Sequence, residues 1–548
     1  MKKNYLIILI FMIQGVSAQL VNIPDAHLKS KILSSSPSNT VAKNLSGNYF
    51  AVDANGDGEI QQSEASQVKS LNVSASSIAS LTGITAFDKL ESLDCSQNNL
   101  DSAYVNALAS LKWLNASANP LNMGINTGAD IEYLDLHNSS IPQDLNLSNK
   151  NKLSYLNLQN CSALYNLDCS NSKLSTLILN GCSNLHVLNC SNNQLTTLDL
   201  SNLNITGEAF YAANTYTFRG GVDCSHNNLT SLTVSNLTTN FLNCSYNNLT
   251  TINAASLTLS KITNAPAGLI LQPSLYFDCS HNQLSSLSIN NTLIVQSFDC
   301  SYNNLTSMNI NKIVAQDFNC SHNNISAVNI SDTSQIDNLN ISYNVLTSFV
   351  SPVMPFVDDQ DLNPVGNAPS QSIYCNDNLL TLLNLNKTQV LKVYAYNNDI
   401  HTLLIKNGIL NEFLDLQNNP NITFICADDF PLDPSDPYSE VDYFQSAVPG
   451  ATISSNCSNS VLSVSDRGIA ENNVAIYPNP AFDTVYITST YDVKSIEISD
   501  LQGRLVKTAQ NKIHSATLKT SVNDLVAGTY VVKIDTGKGI FVKKLIKK

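Results

Sequence analysis

The sequence predicts a mainly β fold: a leucine-rich-repeat solenoid of about 21-residue repeats, with a calcium-loop cap before it and a small β-sandwich domain after it. The first observation is a motif, L-x-C-S-x-N-x-L, which occupies Leu93 to Leu100 and recurs along the chain. The second is its period, because Cys169 and Cys190 are 21 residues apart. The third is length and composition: 548 residues with only 13% charged side chains suit a repeat array, which grows along its axis while the width of its core stays constant.

These patterns divide the chain into six parts. They are a signal peptide (1–18), an N-terminal cap with an EF-hand-like calcium loop (19–70), the solenoid (71–425), a C-terminal cap (426–457), a linker (458–473) and the β-sandwich (474–548). Lys2 and Lys3 precede an apolar run that is too short to span a bilayer, and a small-x-small site precedes Gln19. No other stretch reaches the length of a transmembrane segment, so we expect the chain to leave the cytoplasm whole.

The N-terminal cap contains the pattern of a calcium loop. Oxygen-bearing side chains occupy its first, third and fifth places, Gly58 allows the sharp turn, and an acidic residue closes the twelve-residue loop. The predicted calcium residues are Asp53, Asn55, Asp57, Glu59 and Glu64. We expect an exiting helix from Glu64 to Leu71 and a structural calcium ion that folds the cap over the first coil. The alternative is a solvated acidic turn without metal.

The repeat motif predicts which side chains are buried. Leu93, Cys95 and Leu100 can point inward while the residues between them point outward, so stacked coils form one long parallel sheet. Half-period copies such as Leu177-Ile178-Leu179 predict a second extended segment on the back of each coil. The Asn at the sixth place can satisfy backbone groups where the chain turns, and we expect this structural role rather than ligand binding. Cys161 and Cys182 take that place in two coils.

Nine of the 13 cysteines fall at one inward place of the motif. An odd total leaves at least one thiol unpaired in a monomer, although disulfides are the default in a secreted chain. Because Ala116 and Ile341 substitute at this place, we expect buried free thiols that act as small apolar side chains. A metal-binding ladder is the weaker alternative, since no CxxC or Cys/His pairing occurs. Cys426 and Cys457 lie outside the repeat register, and we predict a disulfide between them.

Three coils are oversized, for example the 34 residues from Cys190 to Cys224. Extra chain in a solenoid leaves as loops on one edge, so these additions are either specificity elements or tolerated insertions.

The tail after residue 473 differs in charge, with 11 Lys and Arg against 6 Asp and Glu, whereas the whole chain has a net charge of −14. The acidic body argues against a nucleic-acid partner or an anionic membrane.

The tail alternates apolar and polar residues in short strands, which predicts a small antiparallel sandwich. It resembles the type A C-terminal sorting domain of the type IX secretion system of Bacteroidetes. The resemblance is carried by the Tyr-Pro-Asn-Pro opening, the Asp-x-x-Gly-Arg turn from Asp500 to Arg504, the Gly-x-Tyr strand and the basic end. The motif residues are Tyr477, Pro478, Asn479, Pro480, Gly503, Gly528, Tyr530, Lys543 and Lys544. The repeats are similar to those of internalin-like proteins, a likeness that is specific for fold and weak for ligand.

The resemblance implies two-step export: a signal peptide takes the chain to the periplasm, and the type IX machinery then takes it across the outer membrane. The protein would be secreted or held at the outer cell surface. Whether the sorting domain is cleaved, and whether the protein is released or anchored, is left open.

Recognition is expected on the outward places of the strands. Trp113, Tyr133 and Tyr155 fall in successive coils, and an Asp/Asn row that includes Asp94 and Asp135 runs beside them on the concave face. Rings beside carboxylates and amides can stack on sugars or anchor a peptide. The alternative is that any solenoid needs a polar strand face, which near-identical repeats would copy without a ligand. His and Tyr also alternate two places after the Cys of the motif.

No catalytic pattern occurs, so we expect a non-catalytic protein. The leading hypothesis is an adhesin-like surface or secreted protein that binds a glycan or a protein. The alternatives are a structural or matrix spacer of the cell surface and an accessory subunit of a secreted enzyme.

Overall fold

The computed structural model describes residues 19–548 apart from 207, 213–214, 220, 261–274, 290–292, 354–370, 410–412, 430–439, 458–473, 490, 501–503, 512–514 and 537–539. The predicted signal peptide and linker lie outside the described residues. The chain forms two compact units, Met1–Ser460 and Val461–Lys548. Within the described part, none of the helices has the length and apolar character needed to cross a membrane.

The first unit is a leucine-rich-repeat solenoid in which coils add short strands to two parallel sheets, here called face one and face two. The central apolar residue of most strands is buried and its two neighbours point outward, because successive side chains of a strand alternate. Leu114 on face one and Leu167 on face two, for example, are at most 1% exposed. These central residues and the motif cysteines form one continuous core. The predicted extended segment on the back of each coil is confirmed.

Face one begins with Ala42–Asn44, which is antiparallel to the next strand, and continues in parallel with Val68–Asn72, Ser92–Asp94, Trp113–Asn115, Tyr133–Asp135, Tyr155–Asn157 and Thr176–Ile178. Later coils continue it in four groups of parallel strands: Thr197–Asp199 with Ser231–Thr233; Thr251–Ala254 with Ser286–Ile289; Ser307–Ile310 with Ala327–Ile330; and Ser348–Val350, Leu382–Asn384, Thr402–Leu404, Phe424–Cys426 and Thr452–Ser454.

Face two begins with the parallel pair Ser102–Tyr104 and Gly124–Asn126. Its main sheet contains twelve parallel strands: Asp144–Asn146, Asn166–Asp168, Val187–Asn189, Val222–Asp223, Phe241–Asn243, Tyr276–Asp278, Ile294–Asp299, Val314–Asn319, Gln335–Asn340, Ser372–Tyr374, Lys392–Tyr394 and Phe413–Asp415.

The repeat motif changes faces after Leu156, so the prediction of one continuous motif sheet is wrong. Motif strands from Leu93 to Leu156 lie on face one, whereas the strand of Leu167 and all later copies lie on face two. The reason is spacing: Leu156 and Leu167 are 11 residues apart, which is about half a coil. The predicted Asp/Asn row is therefore divided between two faces after Asn157.

The sixth-place asparagines tie each coil to the preceding one. Asn193 Nδ2 donates to three backbone carbonyls at 3.0–3.2 Å, two in its own coil and one in the coil before, and its Oδ1 accepts the N–H of Leu174. The same four bonds recur at Asn227, Asn247, Asn282, Asn303, Asn323 and Asn344. The predicted structural role of these residues is confirmed.

The N-terminal cap is built around the helix Ala26–Leu33. Asp25 caps it by accepting two N–H groups of its first turn, and the same carboxylate accepts the N–H groups of Ala79 and Ser80, which lie just before the 3-10 turn Ile84–Ala86. The predicted helix from Glu64 to Leu71 is wrong. The helix Gln62–Ala65 ends after one turn, because Val68–Asn72 is recruited as a strand of face one.

The first oversized coil places its extra residues between the face-one strand Thr197–Asp199 and the face-two strand Val222–Asp223. They include an antiparallel hairpin, Glu208–Ala212 with Thr215–Arg219. The other two include 261–274 and 354–370, outside the described residues. Beside the hairpin, a small parallel sheet joins Asn204–Ile205, Thr238–Thr239 and Thr258–Leu259.

The solenoid ends in the helix Glu440–Ala447 and the strand Thr452–Ser454. Cys426 and Cys457, the predicted pair, form a disulfide there. The second unit contains two antiparallel sheets that enclose one apolar core. Their strands are Val474–Tyr477, Thr484–Ser489 and Thr517–Ser521 in one sheet, and Leu505–Gln510, Ser495–Ser499, Gly528–Asp535 and Ile540–Lys547 in the other.

Candidate functional site

The predicted aromatic patch is a stacked column on the outward side of face one. Trp113, Tyr133 and Tyr155 are direct register partners on adjacent strands. Their ring centroids are 5.1 and 4.3 Å apart, with interplanar angles of 15° and 5°. All three rings are half-buried.

This stacking limits how the rings can contact a ligand. Tyr133 is covered on both faces, so it can present only its edge. The free ring faces are those at the two ends of the column, beyond Trp113 and beyond Tyr155. Their register partners on the next strands are Ser92 and Thr176. The three rings therefore do not form a flat platform for a sugar.

The two predicted carboxylates differ in accessibility. Asp135 is only 7% exposed, and its Oδ1 accepts the N–H of His137 at 3.0 Å and lies 2.7 Å from His137 Nδ1. Burial, with smaller contributions from Tyr155 and Asp135, raises the pKa of Tyr133 well above its usual range. Asp94 is half-buried and points outward beside Ser92. Asp94 is thus the better placed of the two to contact a ligand.

The rest of the Asp/Asn row shares one local geometry. Asp94 Oδ1 accepts both the N–H and the hydroxyl of Ser96, at 3.1 and 2.7 Å. The same two bonds recur at Asp168, Asn189, Asp223, Asn243 and Asn340. One oxygen of each side chain therefore has a structural function in the turn, which accounts for the repetition of Asp and Asn without a ligand.

A second column of rings follows the turn after face two. His and Tyr alternate through six coils with centroid distances of 4.1–4.4 Å and interplanar angles of 10° or less. All six residues have positive φ, between 50° and 53°. The members are His226, Tyr246, His281, Tyr302, His322 and Tyr343. Burial lowers the pKa of His322, and the nearby His281 adds to this while Asp377 opposes it.

The calcium-loop side chains are satisfied by the loop itself. Asp53 accepts the N–H groups of Gly56, Asp57 and Gly58, and the two oxygens of Glu64 accept those of Ala54 and Gln61.

Other members of the loop bond within the cap. Asn55 Nδ2 and Gln61 Nε2 donate to Asp57, whose pKa is lowered chiefly by the N–H of Glu59. Glu59 itself forms an ion pair with Lys29 at 2.7 Å. The oxygen donors suit calcium in type, and Gly58 has the positive φ that the turn needs. No group of three or more His, Cys, Asp or Glu within the described ranges is arranged to hold a metal ion.

The motif thiols are inaccessible. The eleven cysteines outside the disulfide are all buried, and burial raises the pKa of Cys375 and Cys320 to about 12. Such thiols are poor nucleophiles and poor metal ligands at neutral pH.

The motif residues of the second unit fasten its last strand. Asn479 Nδ2 donates to the carbonyl of Lys544, and Asn479 Oδ1 accepts the N–H of Ile546. Tyr477 stacks on Tyr486 at 5.6 Å, and the Tyr530 hydroxyl donates to the carbonyl of Val526.

The remaining motif residues lie close to this region of the second unit. Pro478 and Pro480 flank Asn479, Gly528 begins the strand Gly528–Asp535, and Lys543 lies beside Lys544 in the last strand. Gly503 lies outside the described residues.

Sequence reasoning missed the surroundings of the aromatic column. Lys43 is the register partner of Ser70, and its Nζ lies 4.9 Å from the centroid of the Tyr49 ring. Both residues belong to the N-terminal cap, where no repeat pattern assigns a face. Only the antiparallel strand Ala42–Asn44 brings them next to the solenoid.

Comparison with known proteins identifies the second unit. Residues 475–548 match the secretion system C-terminal sorting domain, so the chain is exported by type IX secretion to the cell surface or the medium. No curated protein matches the chain.

Several solved leucine-rich-repeat structures are similar to the chain. The functional domain of InlJ from Listeria monocytogenes, which includes a cysteine ladder, is 16% identical, with 97% of this chain and 99% of that chain covered at a TM-score of 0.26. YopM from Yersinia pestis is 18% identical, with 65% and 88% covered at a TM-score of 0.27. The internalin InlF of Listeria monocytogenes is 16% identical, with 76% and 99% covered at a TM-score of 0.23. The fold assignment rests on the strand pairing described above.

Proposed function

We propose that this chain, exported by the sorting domain at residues 475–548, is a surface or secreted recognition protein whose solenoid binds a glycan or a protein without catalysis. The contact surface is the outward side of face one around the aromatic column. The type IX machinery is its partner during export, and the ligand is its partner afterwards.

The observation that carries this proposal is a break in the repeat. The outward place occupied by Trp113, Tyr133 and Tyr155 holds Ser or Thr in the coils on either side, as at Ser92 and Thr176. Copying of near-identical repeats explains the Ser and Thr residues but not three large rings on a solvated sheet. Half-exposed aromatic residues cost solubility, and they are enriched where proteins bind partners.

The test uses the full-length protein on glycan and surface-protein arrays. We expect saturable binding that is lost when Trp113, Tyr133 and Tyr155 are changed to Ala together. The matched control changes Tyr374 and Tyr394 to Ala, since these rings form a similar stack on face two with centroids 4.5 Å apart. Equal loss in both variants would contradict the assignment to face one. No binding to any probe would favour the alternative functions, a structural spacer or an enzyme accessory subunit.

We also propose that the loop from Asp53 to Glu64 binds a structural calcium ion. The support is the order of its oxygen donors and the positive φ of Gly56 and Gly58. Binding would draw Asp53, Asn55, Asp57 and Glu64 away from the N–H and amide groups that they now contact. Glu59 would contribute its backbone carbonyl while its carboxylate stays paired with Lys29. The ion would hold the cap against the first coil.

A further inference from the structure

The free face of the Trp113 ring lies beside a strip of serine residues. Lys43, Ser70, Ser92 and Trp113 are register partners across four adjacent strands of face one. Serine side chains are short, so no ring covers the indole on this side, whereas Tyr133 covers the other side at 5.1 Å. Because strands lie about 4.8 Å apart, about 14 Å separates the strand of Trp113 from that of Lys43.

A second row of polar groups runs beside the serines. Asn72, Asp94 and Asn115 are also register partners and point outward. Each uses Oδ1 to accept the N–H of the Ser two residues later, at 3.0–3.1 Å. Within the described part of the chain, the second terminal atom of each side chain has no hydrogen-bond partner, and neither have the Ser70 and Ser92 hydroxyls. These groups are available to a ligand.

We propose that Trp113, Ser70, Ser92, Asn72 and Asp94 form a subsite, here called the Trp113 trough, that binds one neutral hexose residue of a glycan. The inference rests on the proposed function and names its ligand. The apolar face of the pyranose stacks on the free indole face. Its hydroxyls bond Asp94 Oδ2, the Asn72 amide and the serine hydroxyls.

The polar residues of the trough (Asp94, Asn72, Ser70 and Ser92) are here called its floor. They favour a sugar over an apolar peptide side chain. An apolar group seated there would remove water from Asp94, Asn72 and two hydroxyls without replacing their hydrogen bonds, and each such loss is unfavourable. A pyranose has one apolar face and a rim of hydroxyls, so it satisfies both the indole and the floor.

Charge disfavours an acidic sugar. Asp94 lies one strand from Trp113, whereas Lys43 lies three strands away with its Nζ over the Tyr49 ring, and Lys69 and Glu91 are paired with each other at 3.6 Å. A sugar carboxylate seated on Trp113 would therefore lie next to an unpaired negative charge.

The aromatic column contains three rings, but only Trp113 contacts the sugar; the other two hold Trp113 in place. Tyr133 and Tyr155 cover the back of Trp113 in a continuous stack, so they fix its plane perpendicular to the strip of serines. An isolated Trp side chain on a solvated strand would sample several rotamers, and fixing it on binding would cost conformational entropy. The two tyrosines are positioning residues.

The experiment uses the fact that Trp113 is the only tryptophan of the chain. The fluorescence of the full-length protein is followed during titration with neutral hexasaccharides of glucose, mannose, galactose and N-acetylglucosamine, and with hexagalacturonate. We expect a saturable change in emission with at least one neutral hexasaccharide and none with hexagalacturonate. Binding of a neutral sugar, measured by calorimetry, that leaves the emission unchanged would overturn the trough.

Two matched variants test the free face directly. Ser92→Tyr extends the column by one ring and covers the indole, so it should weaken sugar binding at least tenfold while keeping the fold. Thr176→Tyr extends the column at its other end and should change affinity less than twofold. Equal effects of the two variants would overturn the proposal. Circular dichroism confirms folding in both cases.

A third variant tests the floor without adding bulk. Asp94→Asn keeps the oxygen that accepts the N–H of Ser96. In the next coil, the native Asn115 accepts the N–H of Ser117 in the same way. We expect about fivefold weaker sugar binding, because a hydrogen bond to a charged acceptor is worth about 1 kcal/mol more than one to a neutral acceptor. Unchanged affinity would remove Asp94 from the trough.

The outcomes separate this inference from the proposed function. If no hexasaccharide binds but a protein partner binds and is lost in the triple alanine variant, the trough is wrong and recognition by face one stands. If neither sugars nor proteins bind, both proposals fail.

Discussion

The asparagine ladder allows the stability of a single coil to be predicted. Asn303 is 7% exposed. Its Nδ2 donates to the carbonyls of Cys279, Cys300 and Ser301 at 3.0–3.1 Å, and its Oδ1 accepts the N–H of Leu284 at 2.8 Å. Four buried hydrogen bonds at a net value of about 1 kcal/mol each give about 4 kcal/mol for Asn303→Ala.

The measurement should be local, because coils of a solenoid open one by one and global unfolding of a repeat array is not strictly two-state. Hydrogen exchange of the Leu284 amide should become about a thousandfold faster, since 1.4 kcal/mol corresponds to a factor of ten. Asn304→Ala is the control: its side chain is exposed, and exchange should stay within about threefold.

A second substitution separates donation from acceptance. Asn303→Asp keeps an acceptor for the N–H of Leu284 but directs a carboxylate at three carbonyl oxygens, so it should destabilise the coil at least as much as Asn303→Ala. Local destabilisation below about 1 kcal/mol in both variants would refute the argument that these bonds hold adjacent coils together.

Three further outcomes follow from the caps and the core. Removal of calcium by a chelator should lower the melting temperature of the wild-type protein but not that of Asp57→Asn. The reason is that an ion at a hundred times its Kd stabilises the folded state by about 2.7 kcal/mol. Equal melting temperatures of the wild-type protein with and without chelator would count against a bound ion. Burial alone would raise the pKa of Asp25, but the N–H groups of Leu28, Ala79, Ser80 and His27 outweigh it and lower the pKa below its ordinary 3.8. The stability that Asp25 contributes is therefore complete above about pH 4 and lost as the pH falls through the lowered value, and pH-dependent melting of Asp25→Asn should lack this step. Iodoacetamide at pH 8 should label none of the eleven buried thiols in the native protein and all of them in guanidinium. Mass spectrometry counts the labelled cysteines, and rapid labelling of any one in the native protein would contradict its burial.

The sequence was informative where one pattern repeats often. Alternation along the strand is enough to predict which two residues of each motif strand are buried. The sixth-place Asn recurs at the same turn of every coil, which is enough to predict its structural role. The free thiols were predictable for the same reason, because Ala116 and Ile341 occupy equivalent places and exclude a need for sulfur chemistry.

Sequence reasoning failed where position depends on counting half-coils or on neighbours outside the repeat. The 11-residue step from Leu156 to Leu167 is visible in the sequence, but its meaning depends on each coil having two strands of similar length. The helix expected after Glu64 was replaced by a strand because pairing with Ser92–Asp94 overrides local preference. The stacking that leaves only the terminal ring faces free depends on side-chain rotamers, which spacing does not determine.

The change of face after Leu156 has a consequence for how this chain can be shortened or recombined. A deletion from Leu114 to Leu134 removes 20 residues and joins two strands of face one, so the remaining coils can close with their buried residues in place. A deletion from Leu156 to Leu167 also joins two copies of the motif, yet it removes 11 residues and connects strands on opposite sides of the molecule. Truncation and gene duplication in this solenoid therefore keep every later coil on its face only when whole turns of the backbone are removed or added, whereas a splice guided by the motif alone can shift all later coils by half a turn.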